Sequence, residues 1–411
     1  MNLSRNPETL QLLQGGQALF PAFIQAFDAA KSWIQLETYI FDFHDAGADV
    51  ANALMRAARR GVTVQVLVDA IGSGSLAQPW QENLTDAGVH WCAYSPLASG
   101  FGWLVPERWR RLHRKLCVVD QRIVFCGGIN VLDDFYDPNH GKLPAPRFDF
   151  AVAVTGPLAA EAADAMALLW WRVQAGYSAR QRHLNDAWEN FKAAGYGGRT
   201  DACLMTAPEN SEVPTFSGLP RLNVALVLRD NLLNRHSIER AYCKAIGRSR
   251  EEVIIANAYF LPGGKLRRAL IKASRRGVRV TLLLQGKYEY FMQYHAARPV
   301  YGALLAAGVH IHEYSTSFLH AKVAVVDGHW ATVGSSNLDP LSLLLAREAN
   351  VVVEDKAFAG QLRGCLHEAM AHHGVRLDPA VYRRRSMVMR VQGWAAYALM
   401  RLALLLTGQR Y

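Results

Sequence analysis

The sequence predicts an α/β fold written twice in tandem, the two copies related by a pseudo-two-fold axis with the functional centre at their interface. Three observations predict it. Apolar runs rich in β-branched residues alternate with stretches of helical spacing, the pattern of helices laid on a sheet. The same ordered set of segments occurs twice at a nearly constant offset. The polar residues able to do chemistry fall at matching places in both copies.

The repeat is explicit. Ile34–Phe41 (IQLETYIF), Arg59–Asp69 (RRGVTVQVLVD) and Ala87–Ser95 (AGVHWCAYS) reappear as Ile254–Phe260, Arg275–Gly286 and Ala307–Ser315, at offsets of 216 to 220 residues. His113–Asp120 (HRKLCVVD) and His320–Asp327 (HAKVAVVD) follow at an offset of 207, so the loop before the first is about a dozen residues longer. Each half reads as strand, helix, strand, helix, strand. VTVQVLV and VRVTLLL suit strands buried on both faces. The helical stretches before them end at Gly61 and Gly277, which turn the chain into the strand. Between the halves, roughly Ala175 to Pro220, the texture turns polar and rich in Gly, Pro and Ser, a connector with one helical segment. The expected division is a first domain at 1–195, a connector at 196–220, a second domain at 221–377 and a basic amphipathic C-terminal segment at 378–411.

Composition limits the function classes. Of 411 residues, 51% are hydrophobic and 19% charged, which excludes a disordered chain. The balance of 45 Lys and Arg against 35 Asp and Glu, a net +10, suits an anionic partner: nucleic acid, an acidic lipid surface or a phosphorylated substrate. The six cysteines form no CxxC pair, which argues against a zinc ribbon or a thioredoxin-like site and for small core residues in a reducing compartment. No basic start with an apolar stretch marks a signal peptide, and no uncharged run reaches the ~18–20 residues of a membrane span. A cytosolic origin is expected.

His113-x-Lys115-x4-Asp120 and His320-x-Lys322-x4-Asp327 share one pattern. By chance it would occur in roughly one window per 8,000; two copies at matching places of a repeat carry far more weight than one. The register continues: Gly127 and Gly334 each lie 14 residues after the His, and Asn130 and Asn337 each lie 17 after, in the strings GGIN and GSSN. On a strand the first and third residues of HxK face one side, so His and Lys point into one space. Imidazole can act as nucleophile or proton donor near neutral pH. The Lys ammonium neutralises phosphate oxygens, and Asn amides with the Gly/Ser turn add donors. Asp149 and Glu348 follow the two motifs and could each hold an imidazole in its useful tautomer. Asp120 and Asp327 complete the motif and are counted with its catalytic set, yet at position 8 they face away from His and suit structural bonds at a strand end.

Two such sets facing one another would surround one phosphodiester with two His, two Lys and two Asn. That is a site for two-step displacement at phosphorus: one His attacks, the other protonates the leaving alkoxide and then activates an incoming hydroxyl. Lys and Asn take the part a divalent cation would have, so neither metal nor cofactor is expected.

HxKx4D followed by the G-[GS]-x-N turn resembles the signature of the phospholipase D superfamily, over most of the chain from about Gln11 to about Val375. Within it the sequence is similar to the bacterial cardiolipin synthases, through REEVIIANAYFLPG (Arg250–Gly264) and HWATVGSSNLDPLSLLLAREANVVV (His329–Val353). The resemblance implies tandem α/β/α domains and transfer of a phosphatidyl group between two phosphatidylglycerol molecules, giving cardiolipin and glycerol. By position it implies His113 and His320 as the catalytic pair, with His113 the nucleophile. Lys115, Lys322, Asn130, Asn337 and Ser335 would hold the phosphate, and Glu348 would be the acidic partner of the second His. Gly128 stands where the second half has Ser335. Asp149 lies 36 residues after His113, whereas Glu348 lies 28 after His320.

Two segments bear on an anionic phospholipid substrate and a membrane surface. The loop Pro96–Lys115 sets Phe101, Trp103, Leu104 and Val105 beside Arg108, Arg110 and Arg111, a mixture that suits a bilayer interface or a loop packed on its own domain. The chain after Asp378 holds six Arg and no acid, and Arg390 and Arg401 share one face of an amphipathic helix. Such a helix lies on a membrane rather than across it, or docks on the core. The expected location is the cytoplasmic face of a bacterial inner membrane, with neither nucleic acid nor an obligatory protein partner. A lipid hydrolase, a nuclease and a non-catalytic lipid-binding scaffold are the rival readings.

Overall fold

The computed structural model describes residues 9–74, 76–95, 110–137, 140–180, 223–230, 234–287, 291–339 and 346–406, with isolated positions between 186 and 192. The connector at 196–220 and the stretch 96–109 of the aromatic and basic loop lie outside the described residues.

The first half runs β1 (Leu10–Gln14), α1 (Gly16–Ala29), β2 (Trp33–Thr38), α2 (Ala46–Arg59), β3 (Thr63–Asp69), α3 (Gln78–Asp86), β4 (Val89–Tyr94), β5 (Arg111–Leu112), β6 (Leu116–Val119), β7 (Ile123–Gly127), β8 (Tyr136–Asp137), β9 (Gly141–Lys142), β10 (Phe150–Thr155) and α4 (Pro157–Arg180). The second runs β11 (Asn223–Arg229), α5 (Ser237–Arg248), β12 (Glu252–Asn257), α6 (Gly264–Arg275), β13 (Arg279–Gln285), α7 (Phe291–Ala306), β14 (His310–Tyr314), β15 (Lys322–Val326), β16 (Trp330–Gly334), β17 (Ala346–Glu354) and α8 (Lys356–His373). It closes with β18 (Gly374–Arg376), α9 (Pro379–Arg383) and α10 (Met387–Leu406). Helix α4 takes in Ala175–Arg180, which the composition had assigned to the connector: the polar residues there occupy its C-terminal turns.

Two mixed sheets result. The first has the order β1-β10-β7-β6-β2-β3-β4, and the second repeats it as β11-β17-β16-β15-β12-β13-β14, with β18 added at its edge. In each, the last three strands are parallel and the rest antiparallel. The local reasons are those of the repeat. Helix α2 buries Val50, Ala51, Leu54 and Ala57 at three- and four-residue spacing. Gly61 (φ 91°) and Gly277 (φ 92°) then make the left-handed turns into β3 and β13.

The inner faces of the two sheets share one core. Val118, Val124 and Val152 meet Val323, Val333 and Val351, with Met166 of α4 and Leu362 of α8 completing it. Helices α1 and α2 cover the outer face of the first sheet, and α5, α6, α7 and α10 cover that of the second. Cys92, Cys117 and Cys126 are buried in the core, and that burial raises their thiols above the ordinary range.

Asp120 and Asp327 require correction, because the full motif counted them with the catalytic set. Seven residues of extended chain carry each roughly 20 Å from its His. Both sit at tight turns with φ of 50° and 51°. The Asp120 carboxylate accepts the N–H groups of Lys31, Ser32 and Trp33, at 2.8–2.9 Å. That of Asp327 accepts those of Arg250, Glu251 and Glu252, each at 2.9 Å. Each aspartate thus ties the end of its motif strand to the start of the neighbouring strand. Asp327→Ala is expected to cost about 2 kcal/mol of stability, read as a lower melting temperature, while turnover well below that temperature stays within about twofold.

Candidate active site

The two motif strands are placed by backbone contacts with the opposite half. Strand β5 pairs in parallel with β17, and the His113 N–H donates to the Arg347 carbonyl at 3.0 Å. Reciprocally, the His320 N–H donates to the Phe148 carbonyl at 2.9 Å, and the Phe148 N–H to the Phe318 carbonyl at 2.9 Å. Each motif therefore enters its own sheet only after being clipped to the acid-bearing segment of the other.

The side chains follow. His113 Nδ1 lies 3.0 and 3.1 Å from the two carboxylate oxygens of Glu348. His320 Nδ1 lies 2.7 Å from Asp149 Oδ2. Glu348 is thus the partner of the first His and not of the second, the reverse of the pairing that the resemblance implied. A carboxylate on Nδ1 favours the proton there and leaves Nε2 for chemistry. The Lys115 ammonium donates to the His113 carbonyl at 2.8 Å, and that of Lys322 donates to the His320 carbonyl.

Strand register shows that Asp149 and Glu348 occupy equivalent places despite their unequal offsets. Gly127 pairs with Ala151, and Gly334 with Asn350; two residues before each partner stands the acid. The additional residues in the first half form the β8–β9 hairpin, pinned by Arg147 on Asp137 at 2.8 Å. Asp134 accepts the Gly16 N–H at 2.5 Å, so it too is structural.

Ser335 was expected on the phosphate. It is fully buried, donates its hydroxyl to Glu348 and accepts the Ala349 N–H at 3.0 Å. It therefore positions the carboxylate. Gly128, its counterpart, has no room for a side chain: a Cβ there would stand 2.3 Å from Asp149 Oδ1. The shorter aspartate and the glycine belong together, as do the glutamate and the serine. Asn130 and Asn337 stand at matching places after β7 and β16. The Asn130 carboxamide oxygen accepts the Ile40 N–H at 3.2 Å, so its donor end is not the end that fixes it.

Tyr39 joins the site, with its ring centroid 5.1 Å from that of His113 and 5.5 Å from the Lys115 ammonium. The sequence offers only a weak signal for it, a tyrosine at the end of β2 repeated as Tyr259. Glu37 and Asn257, two residues before them, do structural work instead. Glu37 forms a buried pair with Arg114 at 2.7 Å, and the Asn257 oxygen accepts the Leu338 N–H at 3.1 Å.

The electrostatics tie both motifs to one space. Burial pushes Lys115 down to about 7, opposed by Glu348 and reinforced by Lys322. Burial lowers His113, and Glu348 opposes it. Burial holds His320 well below its ordinary value, and Lys322, Lys115 and His113 add to the effect. Burial also pushes Asp149 up to about 7, against the pull of Lys322. Two partly buried imidazoles, two ammonium groups and two carboxylates thus meet in one space, and a bound anion would restore the positive charges that burial suppresses.

A duplicated α/β/α scaffold with two HxK sets meeting at one buried centre is a phosphodiester-transfer site, and the chain belongs to the cardiolipin synthase family with phospholipase-D-like domains. The family model described as "Cardiolipin synthase, PLD-like domain" matches residues 23–140 and 242–369. The chain is thus an enzyme of phosphoryl-group transfer. It is 38% identical over 386 residues to cardiolipin synthase B of Escherichia coli K12, covering 93% of this chain and 85% of that one. Cardiolipin synthase B of Salmonella typhimurium is 37% identical over 382 residues, covering 93% and 85%. The crystal structure of phosphatidylserine synthase from Haemophilus influenzae has the same fold, with a TM-score of 0.63 at 14% identity over 97% of this chain and 93% of that one. Among the described residues no helix is long and apolar enough to cross a membrane.

The low Lys115 value has a measurable consequence. Above about pH 7 the empty site loses this cation, so kcat/KM for an anionic diester is expected to fall as pH rises through that value. Lys115→Arg keeps its charge to far higher pH. It should displace the alkaline limb upward even if its kcat is lower, as a pH profile of both proteins would read.

Proposed function

We propose that the enzyme is a cardiolipin synthase, joining two phosphatidylglycerol molecules into cardiolipin with release of glycerol through a phosphatidyl-histidine. The observation that carries this reading is the reciprocal pairing of His113 with Glu348 and of His320 with Asp149 around the Lys115 and Lys322 ammonium groups. The 38% identity to cardiolipin synthase B supports the choice of lipid.

In the first step an imidazole Nε2 attacks the donor's phosphorus. The bond from phosphorus to the glycerol oxygen breaks, and the other histidine, as imidazolium, gives that oxygen its proton. Glycerol leaves. In the second step the now neutral histidine takes the proton of a hydroxyl on the second phosphatidylglycerol. That oxygen attacks phosphorus, the P–N bond breaks, and cardiolipin forms. The lysines and the amides of Asn130 and Asn337 stabilise the charge gathering on the non-bridging oxygens. Reciprocal clipping and the matched strand orders support a pseudo-two-fold relation between domains at 1–195 and 221–377, and the reaction belongs at the cytoplasmic face of the inner membrane.

The two histidines differ in surroundings. An attacking imidazole must be neutral, and a donating one must hold a proton. Burial lowers both imidazoles; His320, lowered further beside Lys322 and Lys115, suits attack, and His113, where Glu348 opposes the shift, suits donation. This reverses the assignment implied by resemblance.

The test is mass spectrometry of lipid products from phosphatidylglycerol vesicles with a chelator present. The parent chain should yield cardiolipin and glycerol, and His113→Ala and His320→Ala should each lose at least about a thousandfold. Phosphatidic acid as sole product would make the enzyme a hydrolase; no lipid turnover would sink the lipid reading. The roles separate with a nitrophenyl phosphodiester, whose leaving group needs no proton. His113→Ala should keep a burst of nitrophenol, and His320→Ala should lose it; the opposite result would return the attack to His113.

A further inference from the structure

Helix α10 is apolar on two sides, and only one of them is used. Gly393, Ala396 and Met400 face inward: a Cβ on Gly393 would stand 3.4 Å from the His295 carbonyl and from Pro299 of α7, and Met400 enters the core of the second half. A second stripe at the same three- and four-residue spacing, Val388, Val391, Ala395, Ala398 and Leu402, faces outward, and every member is exposed. Val391 is 61% exposed and Leu402 53%, with Trp394 at 59% beside them. A helix that ended its contacts at α7 would carry polar residues on this face. The docked and membrane-lying alternatives for this helix are therefore compatible: it docks by one stripe and offers another.

The same helical layer also carries charge. Helices α5, α6, α7 and α10 share one core against the outer face of the second sheet, through Tyr242, Leu270, Leu304 and Met400. Helix α6 has five basic residues and no acid, and its Lys265, Arg268, Lys272 and Arg275 are exposed. Lys265, Arg268 and Lys272 line a groove against α5, whose lining also includes Arg240, Glu239 and His236. On α10 itself, Arg390 and Arg401 are exposed along one flank of the outward stripe. The apolar ridge and the cationic groove lie in one helical layer with α7 between them, and together they are complementary to one surface chemistry, an anionic bilayer: the ridge enters the acyl boundary while the groove meets phosphate headgroups. A second copy of this chain would bring the same positive charge against itself.

We infer that the outer helical layer of the second half, from α10 across α7 to the α5–α6 groove, is the membrane-docking surface of the enzyme, with Val388, Val391 and Leu402 inserted at the interface of an anionic bilayer and the α5–α6 groove holding lipid headgroups. This rests on the lipid reading above only for the placing of the substrate; the surface itself would bind anionic lipid whatever the enzyme does with it.

Flotation with phosphatidylcholine vesicles, with and without phosphatidylglycerol, tests it on the full chain. The parent chain should float only with the anionic vesicles. Val391→Glu/Leu402→Glu and Lys265→Glu/Arg268→Glu/Lys272→Glu should each lower the bound fraction at least about tenfold. Both should keep the parent's melting temperature and its turnover of short-chain phosphatidylglycerol below the micelle concentration. Flotation of both variants at the parent's level would overturn the inference. So would a parent that sediments as a dimer and an apolar-ridge variant that sediments as a monomer with lipid binding unchanged. A parent that floats while making no lipid product would refute the proposed reaction and leave the docking surface standing.

Discussion

Each imidazole at the centre is held by a carboxylate that belongs to the other half of the chain, His113 by Glu348 and His320 by Asp149. Neither half therefore possesses a complete acid–base group of its own. The constraint reaches outward through the backbone. Strand β5 of the first half pairs with β17 of the second sheet, and Phe148 reaches the segment before His320. The valine-rich core between the inner sheet faces then holds the two halves at the separation these pairs require. Duplication supplied two incomplete sites, and the interface makes one complete site of them.

Placing so many ionisable groups together in a buried space has an electrostatic consequence. Burial pulls Lys115, His113 and His320 toward their neutral forms and does the same to Asp149. A phosphodiester brings the negative charge that this arrangement lacks, so binding favours the ammonium and imidazolium forms that the chemistry uses. The site is matched to the charge distribution of substrate and transition state rather than to its own empty state.

The two halves are alike but not equal, and the inequality is local. Where the first half has Gly128 and the shorter Asp149, the second has Ser335 and the longer Glu348. Each acid reaches its imidazole, but among the described residues only Glu348 receives a hydroxyl donor. A second asymmetry lies outside the site. Only the second half carries α10, and its outer helical layer presents the cations of α6 on one side of α7 and the exposed ridge of α10 on the other. One half thus adds a surface for anionic lipid to a centre that both halves share.

The repeat, the strand–helix alternation, the paired HxK motifs and the matched Gly and Asn positions were legible in the chain, because periodicity and local propensity act over short spans. That Asp120 and Asp327 face away from chemistry also followed from strand alternation, although the motif groups them with the histidines. Three things only the tertiary structure decided. Glu348 serves His113 and Asp149 serves His320, because strand exchange between halves is a long-range event with no local trace. Ser335 supports Glu348 rather than a phosphate, because its burial depends on the pairing of β16 with β17. Helix α10 is apolar toward both its own domain and its surroundings, because a sequence stripe records where apolar residues lie and packing alone decides which of them are covered.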